Sequence, residues 1–196
     1  MTHVQSRGRL QFLLLAALFF APLLAAVLFY FVFPDWQPDA RTNYGELVAP
    51  ARPLPDAPLR DARGTPVAAE ELRGRWSYVY VAGAECDAAC ADKLHQIRQI
   101  RTLLNEKRQR VQRVYVAPDP EASAAAAALL AADHPDLRVY ADTPEAAYRR
   151  FFGPRDPQAL YLVDPLGNWL MVYDGQAESK GILKDIKKLL RVSQIG

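Results

Sequence analysis

Hydropathy divides the chain before any other property does. Leu10 to Phe33 carries no charge and, Gln11 apart, no strongly polar residue. As a helix it would be about 36 Å long, enough for a hydrocarbon core of about 30 Å. Pro22 falls mid-span, where a membrane helix tolerates a kink, and Tyr30 and Trp36 stand where interfacial aromatics gather. A cleaved signal would have an apolar stretch of about 7 to 15 residues closing on small side chains. This one is longer and closes on Phe29-Tyr30-Phe31-Val32-Phe33. A single uncleaved transmembrane helix is therefore predicted for residues 10–33. Arg7 and Arg9 precede it and Asp35 and Asp39 follow, so the positive-inside rule makes residues 1–9 a cytoplasmic tail and puts the remainder across the membrane. The short tail leaves no room for a transit peptide, which favours a bacterial inner membrane and a periplasmic domain over a mitochondrial location.

Beyond the span the pattern changes twice. Pro34, Pro38, Pro50, Pro53, Pro55 and Pro58 disfavour helix, and residues 34–58 read as an extended stalk. Residues 59–196 then alternate. Leu59–Asp61 and Pro66–Val67 flank a turn and suggest a hairpin. Trp76–Ala82 is a short β-branched and aromatic run, hence a strand. Residues 86–108 have helical spacing, with Leu94, Ile97, Ile100, Leu103 and Leu104 on one face. Val111–Ala117 is a second strand. A helix over 121–132 opens at Asp119-Pro120, with proline at a favourable early position. Leu137–Tyr140 is a third strand, and Pro144–Phe152 a short helix stopped by Gly153-Pro154. Residues 159–163 and 169–173 form a hairpin, and Gly181–Arg191 is a final helix turning Ile182, Leu183, Ile186, Leu189 and Leu190 inward. The order β-α-β-α-β-α-β-β-α implies an α/β fold, a central mixed sheet flanked by helices. It is the order of a thioredoxin-like domain with a helix inserted before the hairpin.

Composition narrows function. Half the residues are hydrophobic (51%), sufficient for a packed core beside the anchor. The net charge is +2; setting aside Arg7 and Arg9 leaves basic and acidic residues balanced at 22 each, which argues against a nucleic-acid binder.

The chemistry rests on two cysteines, Cys86 and Cys90, directly after the first long strand and at the start of its helix. A helix N-terminus stabilises a thiolate. The i, i+4 spacing would set both sulfurs on one helix face, near enough to bridge or to hold one soft metal. The far side of the membrane is a compartment where disulfides persist. A purely structural bridge is the alternative, but so small a loop stabilises little. Four zinc ligands are not available from two thiols. Glu85 and Asp87 flank the pair and are expected to raise the Cys86 pKa, opposing the helix dipole.

The strand, the C-x-x-x-C opening a helix, the second strand running into Val116-Ala117-Pro118-Asp119-Pro120, and the segment Leu160-Tyr161-Leu162-Val163-Asp164-Pro165-Leu166-Gly167-Asn168 together resemble the SCO/SenC family. The single N-terminal anchor fits as well, and the likeness covers most of residues 54–192. It implies a thioredoxin-like domain that binds copper or exchanges thiols while the dinuclear copper centre of cytochrome c oxidase is built. It also implies copper held by both motif cysteines and one distant histidine. This sequence departs from the pattern. Asp87 and Ala91 replace prolines beside the cysteines, and the histidine position, just before the late hairpin, falls nearest Asp156. His3 is on the other side of the membrane, and His95 should face away from the pair. His134 lies in a loop before the third strand, and Met171 reads as core. Two thiolates alone still suit copper(I), while a redox role requires no cofactor. Pro157 stands where thioredoxin-like folds carry a cis-proline against the cysteine motif, and the cis form is expected.

Two functional classes follow. In the first, Cys86 attacks and Cys90 resolves, acting on cysteines of a cytochrome c oxidase subunit or another copper chaperone, with transient copper(I) transfer as a variant. In the second, the fold is a non-catalytic docking scaffold, with the clusters Arg98/Arg101, Lys107/Arg108/Arg110 and Lys184/Lys187/Lys188/Arg191 meeting an acidic partner. Nothing around Cys86 supports a peroxidase.

Overall fold

The computed structural model describes residues 3–32 and 43–195. It separates into two compact units, dividing between Arg41 and Thr42. In the first unit, helix α1 (His3–Val32) runs unbroken through Pro22. Its Gly8–Val32 portion is long and apolar enough to cross a membrane. The helix begins well before the expected start of the span, so residues 3–9 continue it. Phe33, Asp35, Trp36 and Asp39, on which the expected far boundary rests, lie outside the described residues.

The second unit is built on an eight-stranded mixed sheet. Its strands are β1 (Glu46–Pro53), β2 (Leu59–Asp61), β3 (Pro66–Val67), β4 (Trp76–Val81), β5 (Val111–Ala117), β6 (Leu137–Ala141), β7 (Leu160–Val163) and β8 (Asn168–Tyr173). The spatial order is β1-β8-β7-β4-β5-β6-β2-β3. The central pairs β4–β5 and β5–β6 are parallel, and every outer pair is antiparallel. Helices α2 (Ala88–Thr102), α3 (Pro120–Leu130), α4 (Ala147–Phe152) and α5 (Ser179–Val192) cover the sheet.

Both faces of the centre are buried, as a parallel core requires. Along β4, Tyr78, Tyr80 and Trp76 enter one hydrophobic layer with Leu94 and Ile97 of α2 and Ile182, Ile186 and Leu190 of α5. The alternate residue Val79 enters a second layer with Val114, Val116, Tyr148, Phe152, Tyr161 and Trp169. Phe152 stacks on Tyr161, with ring centroids 4.2 Å apart, and meets Trp169 edge-on at 5.2 Å. Met171 belongs to the first layer, as expected.

The proline-rich stalk is shorter than the sequence suggested. Residues 46–53 form an edge strand against β8, its register shifting between Leu47 and Arg52. An edge strand needs hydrogen bonds on one side only, so Pro50 and Pro53 are tolerated there. Residues 43–45 are already part of the domain: the buried carboxylate of Asp185 in α5 accepts the N–H groups of Tyr44 and Gly45, each at 2.9 Å. A Cβ on Gly45 would stand 2.6 Å from the Tyr173 ring, so the close approach needs glycine. The helix expected to reach Arg108 stops at Thr102 and is followed by a 3-10 segment, Asn105–Arg110. Leu103, expected inside, is 54% exposed.

One polar cluster lies inside this frame. The Arg113 side chain of β5 is fully buried. It forks onto Asp136 (2.5 and 3.1 Å), reaches His134 Nδ1 (3.1 Å) and donates to the Leu94 carbonyl of α2 (3.3 Å). Arg101 donates to the same carboxylate at 2.9 Å. Burial pushes the Asp136 carboxyl up, but the hydrogen bonds and charge of Arg113 and the charge of Arg101 outweigh it and hold the group low. Burial chiefly, then Arg113, lowers His134.

Removing Asp136 leaves the Arg113 charge buried and unpaired. Asp136→Ala should cost about 2–3 kcal/mol in urea unfolding, less than the 3–5 of a fully buried pair because Asp136 is one-third exposed. Both depressed pKa values make acid destabilising. The Asp136 contribution is lost as pH falls through its folded pKa, and that of His134 as pH falls below its unfolded value of 6.5. The urea midpoint should therefore fall between about pH 7.5 and about pH 5, and His134→Gln should reduce that drop.

Candidate functional site

Parallel pairing brings the ends of β4 and β5 to one edge of the sheet, with Val81 beside Val116. The antiparallel β7 and β8 add to that edge the start of one strand and the end of the other, because Leu160 pairs with Tyr173. The Cys86–Cys90 segment, Asp156-Pro157 and Asp174-Gly175 therefore meet at one rim.

The chain leaves β4 through Ala82. Its N–H donates to Val116 O at 2.9 Å and its carbonyl accepts the Arg149 guanidinium of α4. Asp87 is the N-cap of α2, its carboxylate accepting the Cys90 N–H at 2.9 Å. Aspartate is among the preferred N-caps because its oxygen satisfies an N–H that the first helical turn leaves unpaired. Helix therefore starts after Cys86, not at it. The cysteines do not share a helix face: Cys86 lies outside the helix, and Cys90 is in its first turn. The N-cap bend brings them together in a disulfide with Cα atoms 5.2 Å apart. Cys90 is 3% exposed and packs in the first hydrophobic layer, while Cys86 is half-buried at its border.

Asp156 is close-bound to this rim by backbone. Its Oδ1 accepts the Gln158 N–H and its Oδ2 the Gly175 N–H, each at 2.8 Å. Those two N–H groups hold its carboxyl below the ordinary range. The Gly175 carbonyl in turn accepts the Lys93 ammonium of α2 at 3.0 Å. The Gly175 peptide thus ties the cysteine helix to the Asp156 loop, and a Cβ there would stand 2.6 Å from Asp156 Oδ2. Lys93, itself buried, is lowered chiefly by burial, against the opposing charges of Asp156 and Asp174. Tyr80 lies within the field of both Asp87 and Asp156. Burial first, then its neighbour Tyr115 and these carboxylates, push its hydroxyl up to about 12.

Pro157 is trans: the cis peptide bond among the described residues is Ala49–Pro50. The Asp156 cap on the Gln158 N–H already shapes the turn around it. Pro157 lines a cleft of about 650 Å³ with Gly83, Arg149, Phe152 and Tyr161, immediately beside the cysteine loop. His95 and His134 are elsewhere in the domain. His95 is exposed and pairs with Gln99 at 2.7 Å, and His134 belongs to the Arg113 cluster. Among the described residues no group of three or more His, Cys, Asp or Glu is arranged to hold a metal ion. Lys93 and Tyr80 were not singled out from sequence. Lys93 has a signal in its spacing, since it follows Cys90 by three residues, one helical turn, whereas Tyr80 has only its place near the end of β4.

Residues 76–193 match the family model described as the transmembrane-like, thioredoxin-like C-terminal domain, and residues 2–32 that of the transmembrane-like N-terminal domain. No match to a curated protein sequence was found. Among solved structures, apo Sco1 from Thermus thermophilus is similar with a TM-score of 0.60 at 20% identity, over 77% of this chain and 99% of that one. Yeast Sco1 with copper bound gives 0.60 at 21% identity, over 74% and 91%. BsSco, described as a Sco-family cytochrome c oxidase assembly protein with a disulfide switch, gives 0.55 at 17%, over 74% and 96%. At these identities the likeness establishes a shared fold, the thioredoxin-like architecture expected from the element order.

Asp87 holds the first turn of α2 in place. Asp87→Ala should lower the stability of the oxidised protein by about 1 kcal/mol in urea unfolding, and Asp87→Ser should restore most of it.

Proposed function

The chain belongs to the transmembrane-like, thioredoxin-like family, and on that premise we propose that it is a membrane-anchored thiol–disulfide exchange protein serving assembly of the cytochrome c oxidase copper centre. The observation that carries this reading is the asymmetry of the Cys86–Cys90 pair. One sulfur belongs to a half-buried residue ahead of a helix N-cap, and the other is buried in the first turn. The disulfide switch described for BsSco is consistent with it. The domain works in the periplasm of a bacterium, with the N-terminus in the cytoplasm.

In the reducing direction, the Cys86 thiolate attacks one sulfur of a disulfide on an oxidase subunit or another copper chaperone. The partner's second sulfur leaves as a thiolate. Cys90, deprotonated, then attacks Cys86 Sγ, releases the partner's first sulfur and closes Cys86–Cys90. Two electrons pass to the partner, and the chain ends in the bridged state described above. The helix N-terminus favours the Cys86 thiolate, while Asp87 and Glu85 oppose it, which sets a moderate nucleophile and not a strongly oxidising thiol. The cleft beside Gly83 and Pro157, walled by Phe152 and Tyr161, offers the partner's flanking residues a surface at the start of the loop that carries Cys86.

Copper(I) transfer is a second reading. The favouring observation is that the N-cap bend converges both sulfurs on one point, with Cys90 in an apolar layer. Once reduced, two thiolates suit a soft monovalent ion carried as cargo. Reduced full-length protein should then bind one copper(I) against a competing chelator, and lose it in Cys86→Ser/Cys90→Ser.

Trapping separates the roles of the cysteines. In membranes, full-length Cys90→Ser should accumulate a mixed disulfide with its partner, visible on a non-reducing gel, and Cys86→Ser should not. The opposite pattern would reverse the assignment. Full oxidase activity in a strain carrying only the double-serine variant would leave the scaffold reading in place of exchange.

A further inference from the structure

The cleft at the start of the cysteine loop carries a charge that the exchange mechanism leaves unused. Helix α4 buries Tyr148 and Phe152, one turn apart, so Arg149 and Arg150 between them are exposed. The chain turns at Gly153-Pro154, and Arg155 comes back to the same cleft. Phe152 and Tyr161, stacked on each other, give it an apolar floor. Three arginines thus line a space of about 650 Å³ that holds one acid, Asp156. That carboxylate is already engaged by the Gln158 and Gly175 N–H groups. The arginines are not equally engaged. Arg149 holds the Ala82 carbonyl, and Arg155 reaches Glu46 at 3.3 Å and lies over the Trp169 ring. Among the described residues, no hydrogen bond, ion pair or ring contact engages the Arg150 guanidinium. The group that meets a guanidinium best is a carboxylate, which accepts two of its N–H groups at once.

The sign of the charge changes across Asp156. On its other side a second cleft, of about 540 Å³, is lined by Glu46, Asp156 and Asp174, with Arg155 its one base and already paired with Glu46. An acidic chain is therefore drawn to one side of the rim and repelled from the other. Such complementarity fixes orientation and raises the rate of encounter. The basic side is bound closely to the reacting loop. Gly83 lines it and precedes Cys86 by three residues, so their Cα atoms are at most about 11 Å apart, whatever path the loop takes. An extended partner chain covers that distance in about three residues.

We infer that the arginine cleft selects partners by an acidic segment about three to six residues from the cysteine that Cys86 attacks, with Arg150 the principal contact. The inference rests on the exchange reading and names the chemistry of the partner. Because the neighbouring cleft is acidic, a matching partner is acidic on one flank of its cysteine and not on the other.

The test follows reduced full-length protein, in micelles of an uncharged detergent, as it attacks model peptides. Each peptide carries one cysteine held in a disulfide with thionitrobenzoate. The Cys86 thiolate takes the peptide sulfur, and thionitrobenzoate leaves and is read by its absorbance. Cys90, deprotonated, then releases the peptide thiolate and closes the bridge, so each protein delivers two electrons. The peptides carry glutamates or glutamines about three to six residues from the cysteine, before it or after it. Glutamates on one flank should raise the rate about fivefold over glutamines, the factor equal to about 1 kcal/mol for two exposed ion pairs. On the other flank they should give no gain. The advantage should fade in about 0.5 M salt. The ratio compares two peptides on one protein, so any change in the reactivity of Cys86 cancels. Arg150→Gln should lower the ratio to about twofold and Arg150→Glu should abolish it, whereas Lys187→Gln, the same charge change on α5, should leave it at about fivefold. Equal rates for glutamate and glutamine on both flanks overturn the inference and leave exchange in place. A ratio unchanged in Arg150→Glu also overturns it. Release that speeds up only when phosphoserine replaces glutamate overturns it as well, assigning the cleft to phosphate. No release from any peptide overturns the exchange reading, and the inference with it.

Discussion

The parallel pairing of Trp76–Val81 with Val111–Ala117 is the constraint from which the rest of the domain follows. Parallel strands must be joined by a crossover, and here the crossover is the cysteine helix. Both strands are buried on both faces, so neither can slip by a residue without turning Tyr78 and Tyr80 out of one layer and Val79 out of the other. That register decides where β4 ends. It therefore decides where the chain turns into Asp87 and where the two sulfurs meet.

Polar groups fix the parts that packing leaves free. Arg113 fastens α2 to the loop after α3 through the Leu94 carbonyl and Asp136. On the cysteine rim, Gly175 performs the same task, its N–H donating to Asp156 and its carbonyl accepting from Lys93. Asp156 is thus a carboxylate whose two oxygens each hold a backbone N–H. Here the rim is braced by local hydrogen bonds beside the Cys86–Cys90 disulfide.

The central strands were legible in sequence because each is a short run rich in β-branched and aromatic residues; β5 has its expected bounds although Gln112 and Arg113 interrupt the run. The helices were legible by spacing, although α2 ends where Leu103 and Leu104 could no longer both face inward. β1 was not legible. Its prolines speak against a strand, and only a partner distant in sequence, β8, overrules them. The cysteine pair was evident from position alone, yet the i, i+4 spacing misled, because Asp87 starts the helix one residue after Cys86. Arg113 had a local signal: it shares the inward parity of Val111, Tyr115 and Ala117 in β5. The grip of Asp156 on Gly175 had none, since it joins residues brought together only by the β7–β8 hairpin.

The central claim is that Cys86 and Cys90 form a working redox couple and not a fixed staple. It is tested most directly by equilibrating the full-length membrane protein across a series of thiol–disulfide buffers and counting alkylated cysteines by mass. The account predicts a reversible two-electron transition, both thiols appearing together, at a midpoint above about −300 mV and with the fold intact. A bridge that stays closed to potentials well below that value, or opens only as the domain unfolds, would contradict it.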